Sequence, residues 1–212
     1  VLKTYTRRKQ TRETPLTREV IGKLKWNKAY QAAYVRIQAA RNAPLFGLGS
    51  PNIADVHQGR LGDCYALAPL GALLHRDPRE LRGLYAIDTT SGNATLTFPT
   101  GHIATVPALT DAQIALTSTS EKTGRWVSVY ESAIGYVKSK GNAQTLSDAV
   151  AGGGSARPVI ELLTAHEAVT VRIKKLSVEA LEKRLQTALK DQRLICASTP
   201  DKFAVKVPGL TP

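Results

Sequence analysis

Gln58-Gly59-Arg60-Leu61-Gly62-Asp63-Cys64-Tyr65-Ala66-Leu67-Ala68-Pro69-Leu70-Gly71-Ala72-Leu73-Leu74 sets a short loop holding two glycines against a nearly continuous apolar run. Asp63 suits a helix N-cap, and the residues after it read as a helix that is apolar on almost every side and therefore buried. Pro69 lacks the N–H that would bond back one turn, which predicts a kink. Cys64 falls on the first turn of this helix, where the positive end of the helix dipole favours a thiolate over a thiol. Gly59 and Gly62 permit the tight loop that delivers it. Gln58 carries an amide N–H that can point at a developing oxyanion, with the Cys64 backbone N–H as second donor. Removing a donor of this kind typically costs about 2.7–4 kcal/mol. A lone cysteine at the head of a buried helix is also an ordinary small core residue, so the thiol by itself decides nothing.

Outward from this segment the chain divides by composition. Residues 1–42 hold eleven Lys or Arg against Glu13 and Glu19, and so carry +9 of the chain's net +12. Residues 1–18 lack apolar periodicity and read as an extended arm or linker. Val20 to Ala40 carries apolar residues at helical spacing. Asn42-Ala-Pro and Gly47-Leu-Gly-Ser-Pro51 break it, so the main domain is expected to begin at residue 44. After the Cys64 helix, Asp77-Pro78 opens another short helix to Leu84. Ala94–Phe98 and Ile103–Val106 flank Pro99-Thr-Gly-His102 as a hairpin. Trp126–Val137, Pro158–Leu163 and Val178–Lys190 read as helices, the last capped by Ser177. Ala151-Gly-Gly-Gly-Ser155 reads as a turn. Val169–Ile173, Leu194–Ala197 and Phe203–Val207 read as strands.

The two cysteines, Cys64 and Cys196, do not make a disulfide framework, and no histidine stands at zinc-ligand spacing from either. A reducing compartment, the cytoplasm, is the expectation. No apolar run of membrane-spanning length occurs. The chain begins at Val1 and contains no methionine, which reads as a fragment or processed product. For the basic segment the plain reading is a solvated linker and helix that tether the domain to a larger protein. Trp26, Tyr30 and Tyr34 interleaved with Lys23, Lys25, Lys28 and Arg36 also suit nucleic-acid phosphates and bases.

Gln58, Gly59, Gly62, Asp63, Cys64 and Tyr65 together resemble the Q-G-x-x-G-D-C-[WY] segment of the calpain family of papain-fold cysteine proteases. Pro44-Leu-Phe-Gly47 and Ile53-Ala-Asp-Val56 are similar to the lead-in of bacterial calpain-like proteins, which implies a bacterial origin. Trp126 and Glu131 match the family's W-x-x-L-x-E-K-A helix, and Gly153 to Glu161 its glycine-rich turn. The resemblance covers about residues 44–212 and leaves out the basic segment 1–43. It implies an α+β, papain-like fold. A mostly helical nucleophile lobe with a β-hairpin would occupy about 44–166, and a β-rich second lobe would begin at about 167–212.

By that resemblance Cys64 is the nucleophile and Gln58 the oxyanion donor of an endopeptidase acting on protein or peptide substrates. Gly62, Asp63, Gly153 and Gly154 would line the substrate cleft. Asp55 and Glu161 align with carboxylates of a calcium site in animal calpains. Carboxylates suit Ca²⁺, but pairing of each with Arg or backbone N–H is the favoured reading, and no cofactor is required. The family's base lies in a G-H-[AS]-[YF] context that none of His57, His75, His102 and His166 fits. It is expected just beyond Pro212, with the orienting Asn, in the remainder of the protease or of a larger parent protein. These 212 residues alone are therefore expected to be inactive by the standard mechanism. The alternative is a pseudoprotease or scaffold whose basic arm binds nucleic acid or a partner protein.

Overall fold

The computed structural model describes residues 2–5, 11–14, 25–88, 90–118, 123–142 and 146–198. In chain order the elements are β1 (Leu2–Tyr5), β2 (Thr11–Thr14), α1 (Lys25–Arg41), a 3-10 turn (Ile53–Asp55), α2 (Cys64–Arg76) and α3 (Pro78–Gly83). The strands β3 (Tyr85–Ile87), β4 (Ala94–Thr97) and β5 (Ile103–Val106) follow. Next come α4 (Asp111–Leu116), α5 (Trp126–Lys138), α6 (Leu146–Ala151), α7 (Ala156–Thr164), a 3-10 turn (Ile173–Lys175) and α8 (Val178–Lys190). The architecture is mixed α+β, about half helical, with one three-stranded antiparallel sheet in order β3-β4-β5. In addition β1 and β2 pair antiparallel with Leu2 opposite Thr14, so the stretch expected as an extended arm or linker contains a two-stranded ribbon.

Two helices make the centre, and both were legible from their apolar content. α5 buries Trp126, Val127, Tyr130, Ala133 and Ile134, and α2 buries Ala66, Leu70, Leu73 and Leu74. A fully buried Leu such as Leu70 contributes roughly 1.5–3 kcal/mol relative to exposure. The sheet packs on α5 through one face. Ala94 and Leu96 of β4 and Ala104 and Val106 of β5 point inward, as strict alternation requires. Tyr85 of β3 ties sheet to helix by donating from its hydroxyl to the Trp126 carbonyl at 3.0 Å.

α2 runs unbroken through Pro69. Gly71 faces the 53–55 turn, where an added Cβ would come within 2.8 Å of Ile53 Cδ1. Asp63 stands at the N-cap position but makes no cap bond, which corrects the capping role read from sequence. Its carboxyl turns inward instead.

The C-terminal stretch also departs from expectation. Residues 167–172 form no strand, Ile173–Lys175 is a 3-10 turn, and 193–198 is irregular. Val169, Val171 and Ile195 have the right residue types, but strands need a ladder partner, and none pairs with them among the described residues. The strand expected at Phe203–Val207 lies outside the described residues. α8 matches its expected limits and its Ser177 cap, whose hydroxyl accepts from Ala180 N at 3.2 Å. Its apolar residues Leu185 and Leu189 are exposed. The basic helix α1 lies against α4, held by Arg41 to Asp111 at 2.6 Å and by Arg36, which donates to the Thr117 carbonyl. No helix among the described residues is long and apolar enough to cross a membrane.

Candidate active site

Cys64 is the first residue of α2 and is exposed to solvent, although the helix behind it is buried. Four N–H groups at a helix start have no intrahelical acceptor. Here Ala66 N and Leu67 N donate to the Asp63 carbonyl at 2.7 and 3.2 Å, and Cys64 itself heads the turn. The thiol thus sits where the helix field favours negative charge. The other cysteine, Cys196, is half-buried, and burial pushes its thiol up from the ordinary value.

The loop before Cys64 is fixed by a strand-like seam against residues 116–118. Arg60 N donates to the Leu116 carbonyl at 2.7 Å, and Gly59 N donates to Ser118 Oγ at 3.2 Å. A Cβ on Gly59 would fall 2.3 Å from the carbonyl oxygens of both Leu116 and Thr117. Gly59→Ala is therefore expected to cost about 1–3 kcal/mol, the range for forced overpacking. Urea denaturation checks this, and an unchanged midpoint would show that the seam is not rigid. Gln58 is exposed and donates from Nε2 to the Leu61 carbonyl at 3.1 Å. A primary amide has two N–H groups, and this bond uses one.

Beneath the loop lies a feature the sequence reading missed. Asp63 and Glu131 are both buried, at 0% and 1% exposure. Glu131, on α5, accepts from Ser118 N at 2.7 Å and from Ser118 Oγ at 2.9 Å, and its other neighbour is the Asp63 carboxyl. Burial first, then the Asp63 carboxyl, push Glu131 well above the ordinary carboxylate range. Neither Asp63 oxygen has a hydrogen-bond partner. Asp63 was expected to line the substrate cleft. Its side chain is instead wholly interior, because the loop turns it toward Glu131.

The glycine turn after α6 comes to the same place. A Cβ on Gly154 would touch the Tyr65 ring at 2.7 Å, and one on Gly62 would lie 3.0 Å from the Ala151 carbonyl. Lys138 joins them, donating to Tyr65 Oη at 2.8 Å and to the Gly153 carbonyl at 2.9 Å while lying 4.6 Å from the Tyr65 ring centroid. Tyr65 in turn donates to the Val150 carbonyl at 3.3 Å. Gly62, Gly153 and Gly154 thus gather round the first turn of α2. Lys138 and Ser118 had no motif to mark them.

The calcium positions behave differently. Glu161 accepts from Arg157 Nε at 2.9 Å and from Ala168 N at 3.2 Å, and the Arg157 guanidinium holds its carboxyl below the usual range. Both bonds fall on Oε1, so this oxygen is paired with Arg157 and a backbone N–H. Asp55 ends the 53–55 turn, and its side chain lies outside the described residues. Among the described residues no group of three or more His, Cys, Asp or Glu is arranged to hold a metal ion.

Of the histidines, His75 lies in the last turn of α2, eleven residues on from Cys64, or about 16 Å along the axis. His102 is bonded to Thr100 in the hairpin turn, Nδ1 to Oγ1 at 2.9 Å. His166 is exposed just after α7 and lines a shallow depression with Arg157 and Glu167. His57 is exposed, next to Gln58. No protein-family model matches the chain, and no curated protein matches it significantly.

Proposed function

We propose that this chain is the nucleophile-bearing part of a calpain-like cysteine endopeptidase of papain-like fold. The observation that carries the reading is the exposed Cys64 at the head of a buried helix, behind a loop whose glycine backbone is bonded into Ser118. In this reading the Cys64 thiolate attacks the scissile carbonyl carbon. The oxyanion takes hydrogen bonds from Cys64 N–H and the second N–H of Gln58, and the amine leaves with a proton from the base. Gly62, Gly153 and Gly154 are assigned to the substrate cleft on the strength of the resemblance. None of His57, His75, His102 and His166 is assigned as the base in this reading.

Limiting iodoacetamide followed by peptide mapping tests this. Cys64 is expected to label at least about tenfold faster than Cys196, since only thiolate reacts and burial keeps Cys196 protonated. Equal rates, or Cys196 labelling first, would overturn the reading.

A second reading, a binding module without peptidase activity, draws on α1. Tyr30 and Tyr34 are exposed and stacked, with ring centroids 6.3 Å apart, beside exposed Lys28. Stacked aromatics among cations suit single-stranded nucleic acid. Lys23, Lys25 and Trp26, named for this role from sequence, lie outside the described side chains. Binding of a single-stranded oligonucleotide that falls steeply between low and moderate salt would support it; salt-independent retention, or none, would not.

A further inference from the structure

We propose that Asp63 and Glu131 form a carboxyl pair holding one proton, and that this pair positions Cys64. The inference rests on Cys64 being the nucleophile. The pair reaches the nucleophile loop from both ends. On one side Gly59 N–H donates to Ser118 Oγ, whose own hydroxyl donates to Glu131 Oε1. On the other side Glu131 meets Asp63, the residue before Cys64 and the acceptor for the first turn of α2. Ser118 is itself fixed, since Ser128 Oγ on α5 donates to its carbonyl at 2.9 Å. The route from Gly59 to Asp63 therefore runs through one buried side chain of α5.

The protonation state decides whether that route holds. Two ionised carboxylates in one buried site repel, and Asp63 would lack a donor; a single shared proton turns repulsion into a hydrogen bond. Groups from several elements face Glu131. From the loop comes Asp63. From α1 comes Arg36, which is occupied with the Thr117 carbonyl and has a buried Nε without a partner. From β3 comes Tyr85 and from α5 itself Tyr130, both phenols kept neutral by burial. Tyr130 donates to the Ala66 carbonyl at 3.1 Å and so braces the same helix turn. A group whose folded-state pKa is raised gives stability that is complete below its unfolded value and lost as pH rises through the folded one. The window therefore opens at the ordinary glutamate value of 4.5 and extends upward.

The test uses the full chain as wild type, Glu131→Gln, Asp63→Asn and Glu131→Leu. First, urea unfolding is followed from pH 4.5 to 8. Relative to Glu131→Gln, the wild-type folding equilibrium constant is expected to fall by up to about tenfold per pH unit while folded Glu131 keeps its proton. Second, the rate of Cys64 alkylation by iodoacetamide is compared at fixed pH. Glu131→Gln, whose amide can still donate to Asp63, is expected to keep the wild-type rate, whereas Glu131→Leu is expected to be slowed by roughly tenfold or more. Should Glu131→Leu fail to fold, Asp63→Asn replaces it: with a neutral donor facing Glu131, its pH curve is expected to flatten. Parallel pH curves for wild type and Glu131→Gln, or a Glu131→Gln as slow as Glu131→Leu, would overturn the proposal. Divergent pH curves with Cys64 no more reactive than Cys196 would leave the carboxyl pair standing as a lock on the loop and remove the peptidase reading. Fast Cys64 alkylation with parallel curves would do the reverse.

Discussion

Cys64→Ala is expected to abolish labelling at the head of α2 and to remove peptide hydrolysis from the full-length protein, with a loss on the order of 10⁶-fold, as seen when a comparable hydrolase loses its nucleophile. The reason is chemical. Cys64 supplies the only atom in this site that forms a bond to the substrate carbon in the proposed reaction, and the neighbouring N–H groups stabilise charge that then never develops. Stability should hardly change. Cys64 is exposed, and alanine is a strong helix former, so the shift should stay within about 0.5 kcal/mol. Activity and unfolding measured on the same preparation separate the two effects. A Cys64→Ala protein that unfolds with the wild type and still cleaves peptides would remove Cys64 from the chemistry.

Trp126→Ala is expected to give the largest loss of stability, about 3–5 kcal/mol. Trp126 is fully buried at the start of α5, and its indole Nε1 donates to Thr123 Oγ1 at 3.0 Å. Truncation removes the apolar contact and the hydrogen bond, and leaves a cavity where sheet and helix meet. A domain of this size has about 5–15 kcal/mol to lose, so the variant should populate unfolded chain at mild urea. Trp126→Phe, which refills most of the volume, should recover a large part. Far-UV circular dichroism against urea measures both. A midpoint unchanged by Trp126→Ala would show that the α5–sheet contact does not hold the core.

Elements whose evidence is local were legible in the sequence. The Cys64 helix, the 94–106 hairpin, α5 and α8 follow from apolar periodicity, a glycine turn and a Ser cap. Others are short and exist through their partners. β3 has three residues and is a strand because Tyr85 pairs with Leu96. α4 was passed over although Thr110-Asp-Ala-Gln113 spells a capping box, with the Thr110 hydroxyl accepting from Gln113 N and the Gln113 side chain accepting from Thr110 N. The opposite error fell at Val169–Ile173, where β-branched residues alternate but pairing, not propensity, makes a strand.

The candidate site divides in the same way. Cys64, Gln58 and their glycines lie within one loop and are readable as a motif. Ser118, Glu131 and Lys138 act on that loop from across the fold. Nothing local to residues 118–138 announces that a buried carboxylate there will meet Asp63. Glu131 was singled out only by resemblance, without a role. Asp63 shows the hazard of reading one level alone, since its position before a helix predicts a cap while the tertiary fold turns it into the core.

The most direct test of the central claim is an active-site titration of the full-length protein. Peptide hydrolysis is followed while Cys64 is alkylated stepwise and the modified fraction is read by mass mapping. Hydrolysis is expected to fall in proportion to Cys64 modified and to reach zero when modification is complete. Hydrolysis that survives complete alkylation of Cys64, or a protein with no hydrolysis at any stage, would contradict it.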